Sequence, residues 1–321
     1  MRCLPVVILL VFAAPLVAGP KPEAGTVNFT ADDEKNGVPE RFRLQNHTFE
    51  YQLTLKHDLK HSDVEVYTLT FPSPVKTKHE SNNTVHAEYY RPKNARNRPA
   101  TLVLDILDGT QLVSRAEALW LAQHNIPALT VQMAYYGPRR NGSKERLLST
   151  DVEKSVANIT QTVLDCRRAF AWLETRPEVD ANRLSLLGTS LGGLVGGVVV
   201  GAEPKVRSAA LLLSGGGLVD SFSEHPQAGP VLITLALVGV TKEKLKKLID
   251  PVDPLTYAAR LKDKRLLLIA ASRDDIVPPA AMRRLWEATG RPKLVWIDET
   301  HVGAAVHMFQ MMRVVTRHFD E

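Results

Sequence analysis

One stretch decides how this chain folds: Arg183-Leu184-Ser185-Leu186-Leu187-Gly188-Thr189-Ser190-Leu191-Gly192-Gly193. An apolar run typical of a buried strand ends at a serine flanked by glycines, and the apolar segment after it can form a helix. This G-x-S-x-G pattern predicts a sharp strand-to-helix turn with Ser190 at its apex in a strained backbone conformation. Gly188 and Gly192 are needed because side chains there would collide across the turn. The serine hydroxyl would then lie beside a helix N-terminus, where backbone N–H groups and the helix dipole can stabilise an oxyanion.

A second apolar run downstream ends in two adjacent carboxylates. Residues 265–272 read as a buried parallel strand, and Asp274 and Asp275 follow it. Because the carboxyl ends of parallel strands meet at one edge of a sheet, we expect one of these acids to lie near Ser190. The alternative for Asp274 is a helix N-cap before Pro278.

A histidine follows the last predicted strand, residues 293–298. His301 suits a general base because its unperturbed pKa lies near neutrality. His307 is the alternative, but it falls in the predicted final helix, where a packed or surface role is expected. The order serine, acid, histidine is the order that the motif predicts for a catalytic triad, with the N–H of Leu191 as one oxyanion donor.

On these residues the chain resembles the α/β-hydrolase superfamily, over roughly residues 85–320, and in particular its dienelactone-hydrolase-like and acetyl-xylan-esterase-like branches. In those relatives the acid stands four residues before the proline of a D-x-x-V-P-like segment, so the resemblance implies that Asp274 is the acid. It also implies that His301 is the family histidine. The chain departs from many relatives after the third strand of the core, where it lacks their His-Gly. The second oxyanion donor is therefore expected within Leu107 to Gly109, with Leu107 and Asp108 as the candidates.

The alternation of strands and helices predicts an α/β-hydrolase fold, with a mostly parallel central sheet and helices on both faces. Apolar residues alternate with period two between positions 49 and 89, which predicts antiparallel strands leading into the sheet. The loop after the strand at 128–133 carries Tyr135 and Tyr136, and we expect these rings either to contact substrate or to pack locally. Residues 214–260 exceed a minimal strand–helix repeat and are predicted to form a lid.

The N-terminal residues are predicted to lie outside the fold. Arg2 is followed by the apolar run 4–17 and then by small residues, which is the layout of a signal peptide over residues 1–19. Cleavage is expected after Ala18, and an uncleaved membrane anchor is the alternative. Residues 20–40 are rich in proline, glycine and charge and read as a linker, which leaves residues 41–321 as the hydrolase domain.

Composition narrows the classes of function. With 321 residues, 44% of them hydrophobic, the chain can bury a large core. Its net charge of +5 comes from scattered basic clusters without interleaved aromatic residues, which argues against nucleic-acid binding. No C-x-x-C or H-E-x-x-H motif and no dinucleotide fingerprint occur, so no metal and no cofactor are expected. Cys166 would be the one cysteine left after cleavage, and it reads as a packed helix residue.

These patterns predict an exported serine hydrolase that cleaves small-molecule carboxylic esters, with no stable membrane span after signal cleavage; they do not indicate an oligomeric state. The alternatives are a serine peptidase of the prolyl-oligopeptidase type and a hydrolase-like binding protein that has lost catalysis. The atypical segment around Leu107 motivates the second alternative.

Overall fold

One mixed sheet forms the centre of the molecule. The structure, a computed structural model, describes residues 22–223 and 241–321. Ten strands run through these residues, β1 Glu23–Phe29, β2 His47–Leu59, β3 Val64–Pro72, β4 Thr84–Pro92, β5 Arg98–Leu104, β6 Ala128–Val131, β7 Val179–Thr189, β8 Val206–Leu212, β9 Arg265–Ala271 and β10 Lys293–Ile297.

Helices cover both faces of this sheet. Those in the described ranges are α1 Leu112–Gln123, α2 Val152–Glu174, α3 Leu191–Ala202, α4 Leu218–Ser223, α5 Lys242–Ile249, α6 Ala258–Lys262, α7 Pro279–Ala288 and α8 Met308–Asp320. Short 3-10 turns connect several of them, including Gly137–Arg140 and Gly303–His307.

The strand order confirms the predicted fold. The strands lie in the order β1-β2-β3-β4-β6-β5-β7-β8-β9-β10. The pairs from β1 to β4, and β4 with β6, are antiparallel, whereas β6, β5, β7, β8, β9 and β10 pair in parallel. An antiparallel N-terminal half therefore leads into a parallel half, and β7, which ends at the serine turn, lies inside the parallel half.

The continuous apolar runs of the central strands are explained by burial on both faces. Leu102 and Leu104 of β5 pack into one core cluster, and Val103 between them packs into the cluster on the other face. Successive side chains of a strand point to opposite faces, so a strand covered by helices on both sides needs apolar residues at every position.

The prediction of a linker over residues 20–40 is wrong for residues 22–40, the part that the structure describes. Residues 23–29 form β1, and every one of them pairs antiparallel with a residue of β2. Val27 and Phe29 are buried, with a period-two alternation that the surrounding charged and glycine residues obscure. Asp33 then forms a bidentate ion pair with Arg167 of α2, with both N–O distances at 2.7 Å. These contacts make the segment part of the hydrolase domain.

Two other predictions fall partly or wholly outside the described residues. The predicted signal peptide, residues 1–19, lies outside them, and so do residues 224–240 of the predicted lid. The rest of the lid segment packs on the helices, where the Asp253 carboxylate accepts the N–H groups of Gly217 and Leu218 at 2.8 and 2.6 Å. That the segment covers the site stays a prediction. Within the described ranges no helix has the length and apolar character of a membrane span.

Candidate active site

Ser190 lies at the apex of a strained turn between β7 and α3. Its backbone adopts φ 55° and ψ −120°, a region that non-glycine residues rarely occupy. Its N–H donates to the Leu212 carbonyl of the neighbouring strand at 2.8 Å. Strain of this kind persists only where the surroundings over-determine it, and it concentrates at functional sites.

The glycines of the motif are required by close backbone contact. A Cβ at Gly188 would come within 2.2 Å of the Gly192 carbonyl oxygen, and a Cβ at Gly192 within 2.2 Å of the Leu104 carbonyl oxygen. Neither oxygen belongs to a movable side chain. The turn therefore requires glycine at both positions, and α3 begins directly against the end of β5.

A chain of hydrogen bonds links Ser190, His301 and Asp274. His301 Nε2 lies 2.9 Å from Ser190 Oγ, and His301 Nδ1 lies 2.7 Å from Asp274 Oδ2. The other carboxylate oxygen of Asp274 accepts the N–H groups of Ile276 and Val277 at 2.9 and 2.7 Å. All three side chains are buried or nearly so. With Asp274 accepting from Nδ1–H, Nε2 is left as the acceptor for the serine proton.

The competing acid and histidine lie elsewhere. The Asp275 carboxylate is exposed, and within residues 22–223 and 241–321 its one hydrogen bond is from the backbone N–H of His301, at 3.4 Å. His307 lies in the 3-10 turn before α8, where its Nδ1 is 3.1 Å from Gln310 Oε1. Of the pairs that the sequence leaves open, it is Asp274 and His301 whose side chains lie within hydrogen-bond distance in line with Ser190.

The segment after β5 lies beside the serine turn. Leu191 is the first residue of α3, so its N–H has no acceptor inside the helix and can bind an anion. The buried Asp105 carboxylate accepts the N–H groups of Gln111 and Ser114 at 2.6 and 3.1 Å, which ties the segment to the start of α1. Burial raises the pKa of Asp105. Leu107 and Asp108 therefore lie in a short anchored loop next to the helix N-terminus, and their role as oxyanion donors stays a prediction.

The two tyrosines predicted to contact substrate have different positions. The Tyr136 hydroxyl donates to the Leu107 carbonyl at 2.7 Å, and its ring covers Gly109. Burial, with Asp105 and Asp108 nearby, raises the pKa of Tyr136 to about 12, so it remains a donor at neutral pH. The Tyr135 ring is buried in the core and packs edge-on against His79. A substrate contact is therefore not supported for Tyr135, because the turn directs its ring inward.

The sequence did not single out the buried polar groups beneath these loops. Glu117 of α1 is 1% exposed and accepts the Thr189 hydroxyl at 2.6 Å. Arg139, in the loop after β6, is fully buried and pairs with Asp165 at 2.7 Å. The available signal was a charged residue within an otherwise buried helix face, at Glu117 in α1 and at Asp165 in α2. Within residues 22–223 and 241–321, no cluster of three or more His, Cys, Asp or Glu side chains could hold a metal ion.

Two family models match the chain. The model described as alpha/beta hydrolase domain containing 18 matches residues 34–225, which is more than half of the chain. The model described as the prolyl oligopeptidase family matches residues 155–296. Both matched regions include the serine turn.

Two relatives match a smaller part of the chain than the first of these family models does. Two uncharacterized proteins of Mycobacterium tuberculosis, one from strain CDC 1551 / Oshkosh and one from strain H37Rv, are each 27% identical over 174 residues. The match covers 52% of this chain and 40% of each relative. The chain thus spans about two fifths of the length of these relatives.

Solved structures share the architecture. An acetyl xylan esterase from Paenibacillus sp. R4 has a TM-score of 0.66 at 20% identity, covering 83% of this chain and 88% of its own. Acetyl xylan esterase 1 from Thermoanaerobacterium sp. JW/SL YS485 has a TM-score of 0.57 at 19% identity, covering 82% and 86%. An esterase of Pyrococcus furiosus has a TM-score of 0.56 at 15% identity, covering 83% and 96%. Likeness at this level of identity establishes the fold alone.

Proposed function

The chain belongs to the family described as alpha/beta hydrolase domain containing 18, and from that premise we propose that it is a serine hydrolase cleaving carboxylic esters through an acyl-enzyme on Ser190. The observation that carries this proposal is the continuous hydrogen-bond chain from Asp274 through His301 to Ser190. A serine hydroxyl is a weak nucleophile unless a base takes its proton, and the distance of 2.9 Å from His301 Nε2 to Ser190 Oγ supports His301 as that base.

The reaction follows from this arrangement. Ser190 Oγ attacks the ester carbonyl carbon while His301 Nε2 accepts the hydroxyl proton, and Asp274 stabilises the imidazolium that forms. The N–H of Leu191 and one from the Leu107–Gly109 segment donate to the oxyanion. Collapse of this intermediate expels the alcohol, which receives its proton from His301. Water then repeats the sequence on the acyl-enzyme and releases the acid.

The surroundings of the triad favour uncharged substrates. Three loops at this edge expose apolar side chains, among them Leu107 at 56%, Ile276 at 49% and Val302 at 72%. Acetyl xylan esterases are among the similar structures, so acetyl esters are the first substrates to try. A series of neutral acyl esters compared with a succinyl ester of the same alcohol tests the preference. Faster turnover of the succinyl ester would contradict it.

The decisive test compares the wild type with Ser190→Ala. We expect the variant to lose on the order of 10⁴-fold or more in kcat on a short-chain aryl ester, with unchanged thermal unfolding. A fluorophosphonate should modify Ser190 covalently in the wild type. Equal ester turnover in both proteins would overturn the proposal, and a folded wild type that resists labelling would favour the non-catalytic binding protein.

A peptidase is the second candidate, because the prolyl oligopeptidase model matches residues 155–296. The serine turn and the order of the three residues suit amide cleavage equally well. Aryl esters and matched prolyl or aminoacyl amides, assayed on one preparation, separate the two activities. Turnover of the amides above that of the esters would reverse the order of the candidates.

We further propose that the protein is exported, on the basis of Arg2, the apolar run 4–17 and Ala18. N-terminal sequencing of the protein made in its own cells tests this. A mature chain that begins at Gly19 supports cleavage. An intact chain in the membrane fraction indicates an anchor, and an intact chain in the cytosol contradicts export.

A further inference from the structure

A carboxyl group is buried directly beneath the serine turn. Glu117 lies in the middle of α1, with 1% of its surface exposed, and accepts one hydrogen bond, from the hydroxyl of Thr189 at 2.6 Å. Its other oxygen, Oε2, is enclosed and has no hydrogen-bond partner in the part of the chain that the structure describes. Thr189 is the last residue of β7 and precedes Ser190. The mechanism proposed above does not use this group.

The environment of Glu117 disfavours a negative charge. An ionised carboxylate in a closed site needs a cation or several donors, and among the described residues a single hydroxyl donates to Glu117. The charge that acts on it is the carboxylate of Asp105 at the end of β5, which is of the same sign. Burial raises the pKa of Glu117 to about 8.

The other charged side chains on the elements packed against α1 either pair with another group or are exposed to solvent. Several of them form ion pairs: Glu65 with Arg91, Glu88 with Lys56 and Arg115, and Arg98 with Asp320. Arg313 and Arg317 of α8 are exposed, whereas His318 of α8 is bonded to the Arg265 carbonyl at 3.1 Å. The remaining titratable side chains on these elements are those of Tyr67 in β3 and of His86, Tyr89 and Tyr90 in β4. The three tyrosine hydroxyls donate to carboxylates: Tyr67 to Glu65 at 2.8 Å, Tyr89 to Glu178 at 2.6 Å and Tyr90 to Glu88 at 3.0 Å.

Thr189 links this group to the nucleophile. The left-handed backbone of Ser190 has to be held from several sides, since its conformation is unfavourable by itself. Close backbone packing at Gly188 and Gly192 confines the turn on one side. On another side the Ser190 N–H donates to the Leu212 carbonyl of β8. Thr189 is the residue immediately before Ser190, and the hydrogen bond from its side chain to Glu117 fixes the chain at that point.

We propose that Glu117 is a positioning residue, whose carboxyl group holds Thr189 and thereby keeps Ser190 Oγ within reach of His301. The proposal rests on the role proposed for Ser190. Loss of the carboxyl group would free the turn to shift, and displacements of about 1 Å at a reacting atom can cost on the order of 10²-fold in rate.

The rate constant for fluorophosphonate labelling of Ser190 is a suitable measurement, because it reports nucleophile geometry without a known natural substrate. Glu117→Gln keeps the size and the acceptor but cannot ionise, whereas Glu117→Leu removes the hydrogen bond. At pH 7 we expect Glu117→Gln to label within about threefold of wild type and Glu117→Leu at least tenfold more slowly.

Controls separate this role from a general effect on folding. Glu153→Gln changes an exposed glutamate of α2 and should leave the rate and its pH profile unchanged. If Glu117→Leu does not fold, Thr189→Ala breaks the same link and should slow labelling to a similar extent. Wild-type rates in Glu117→Leu or Thr189→Ala would overturn the proposal, as would a Glu117→Gln variant that labels no faster than Glu117→Leu. Wild type that labels without cleaving esters contradicts only the ester assignment, whereas wild type that does not label contradicts both.

Discussion

The Tyr136 hydroxyl donates a hydrogen bond to the carbonyl oxygen of Leu107 at 2.7 Å. That carbonyl shares its peptide plane with the N–H of Asp108, and in a trans peptide the two point in opposite directions. Tyr136 therefore sets the direction of one of the two candidate oxyanion donors in this segment.

Tyr136→Phe should lower ester turnover by up to about tenfold, because a loosened peptide donates less well to the oxyanion than a fixed one. The loss of stability should be about 1 kcal/mol. Tyr51→Phe is the matched control, since it removes a hydroxyl that donates to Glu23 at the same distance, far from the site. Equal kcat values in the two variants would limit Tyr136 to a structural role.

Asp274→Asn should fold normally and lose up to about 10⁴-fold in kcat, because an amide favours the wrong tautomer of His301. Asp275→Asn should retain turnover, since Asp275 is exposed and accepts a long hydrogen bond, 3.4 Å, from the backbone N–H of His301. Steady-state kinetics on one aryl ester decides between them. An inactive Asp275→Asn variant beside an active Asp274→Asn variant would show that Asp275, and not Asp274, is the acid of the triad.

Gly192→Ala should destabilise the protein by about 3 kcal/mol or more, because its Cβ would press on the backbone oxygen of Leu104. Gly142→Ala is the control: Gly142 has φ +72° but no atom within 4 Å of an added Cβ, so only backbone strain of about 1–2 kcal/mol applies. Urea unfolding measures both. Equal losses would mean that the contact between α3 and β5 tolerates a methyl group.

Glu117 should make stability fall as pH rises. Its pKa is about 8 in the folded chain against 4.5 for the free side chain, so between these values the unfolded state binds fewer protons than the folded state. The free energy of unfolding of wild type relative to Glu117→Gln should therefore drop by up to a few kcal/mol between pH 5 and pH 8. Urea unfolding at both pH values measures this. Glu153→Gln is the control, because its difference in stability from wild type should not change between the two pH values. A difference that stays constant or grows would contradict a raised pKa.

The parallel half of the sheet was accessible from sequence because its signals are local. Each central strand is a continuous apolar run, and the carboxyl ends of parallel strands must share an edge. The serine motif and the D-x-x-V-P segment could therefore be placed together without coordinates. The hydrogen-bond distances between them could not be predicted from sequence. The choice of Asp274 over Asp275 rested on the family resemblance until the structure showed which carboxylate faces His301.

The features that were missed depend on contacts between residues far apart in the chain. The alternation in β1 spans only a few residues within a charged, glycine-containing stretch, and its partner β2 supplies what makes it a strand. Glu117 reads as an ordinary helix glutamate until β7 brings Thr189 against it, 72 residues later. Tyr135 differs from Tyr136 only in the direction that the turn gives its ring.

The ion pair between Asp33 and Arg167 also affects when the N-terminal segment can finish folding. β1 and β2 are neighbours in the chain and can pair soon after they emerge from the ribosome. The guanidinium that neutralises Asp33 lies 134 residues further on. At translation rates of roughly 5–20 residues per second, that residue is made on the order of ten seconds later. The ion pair can therefore form only once α2 has been made, about halfway through synthesis of the chain.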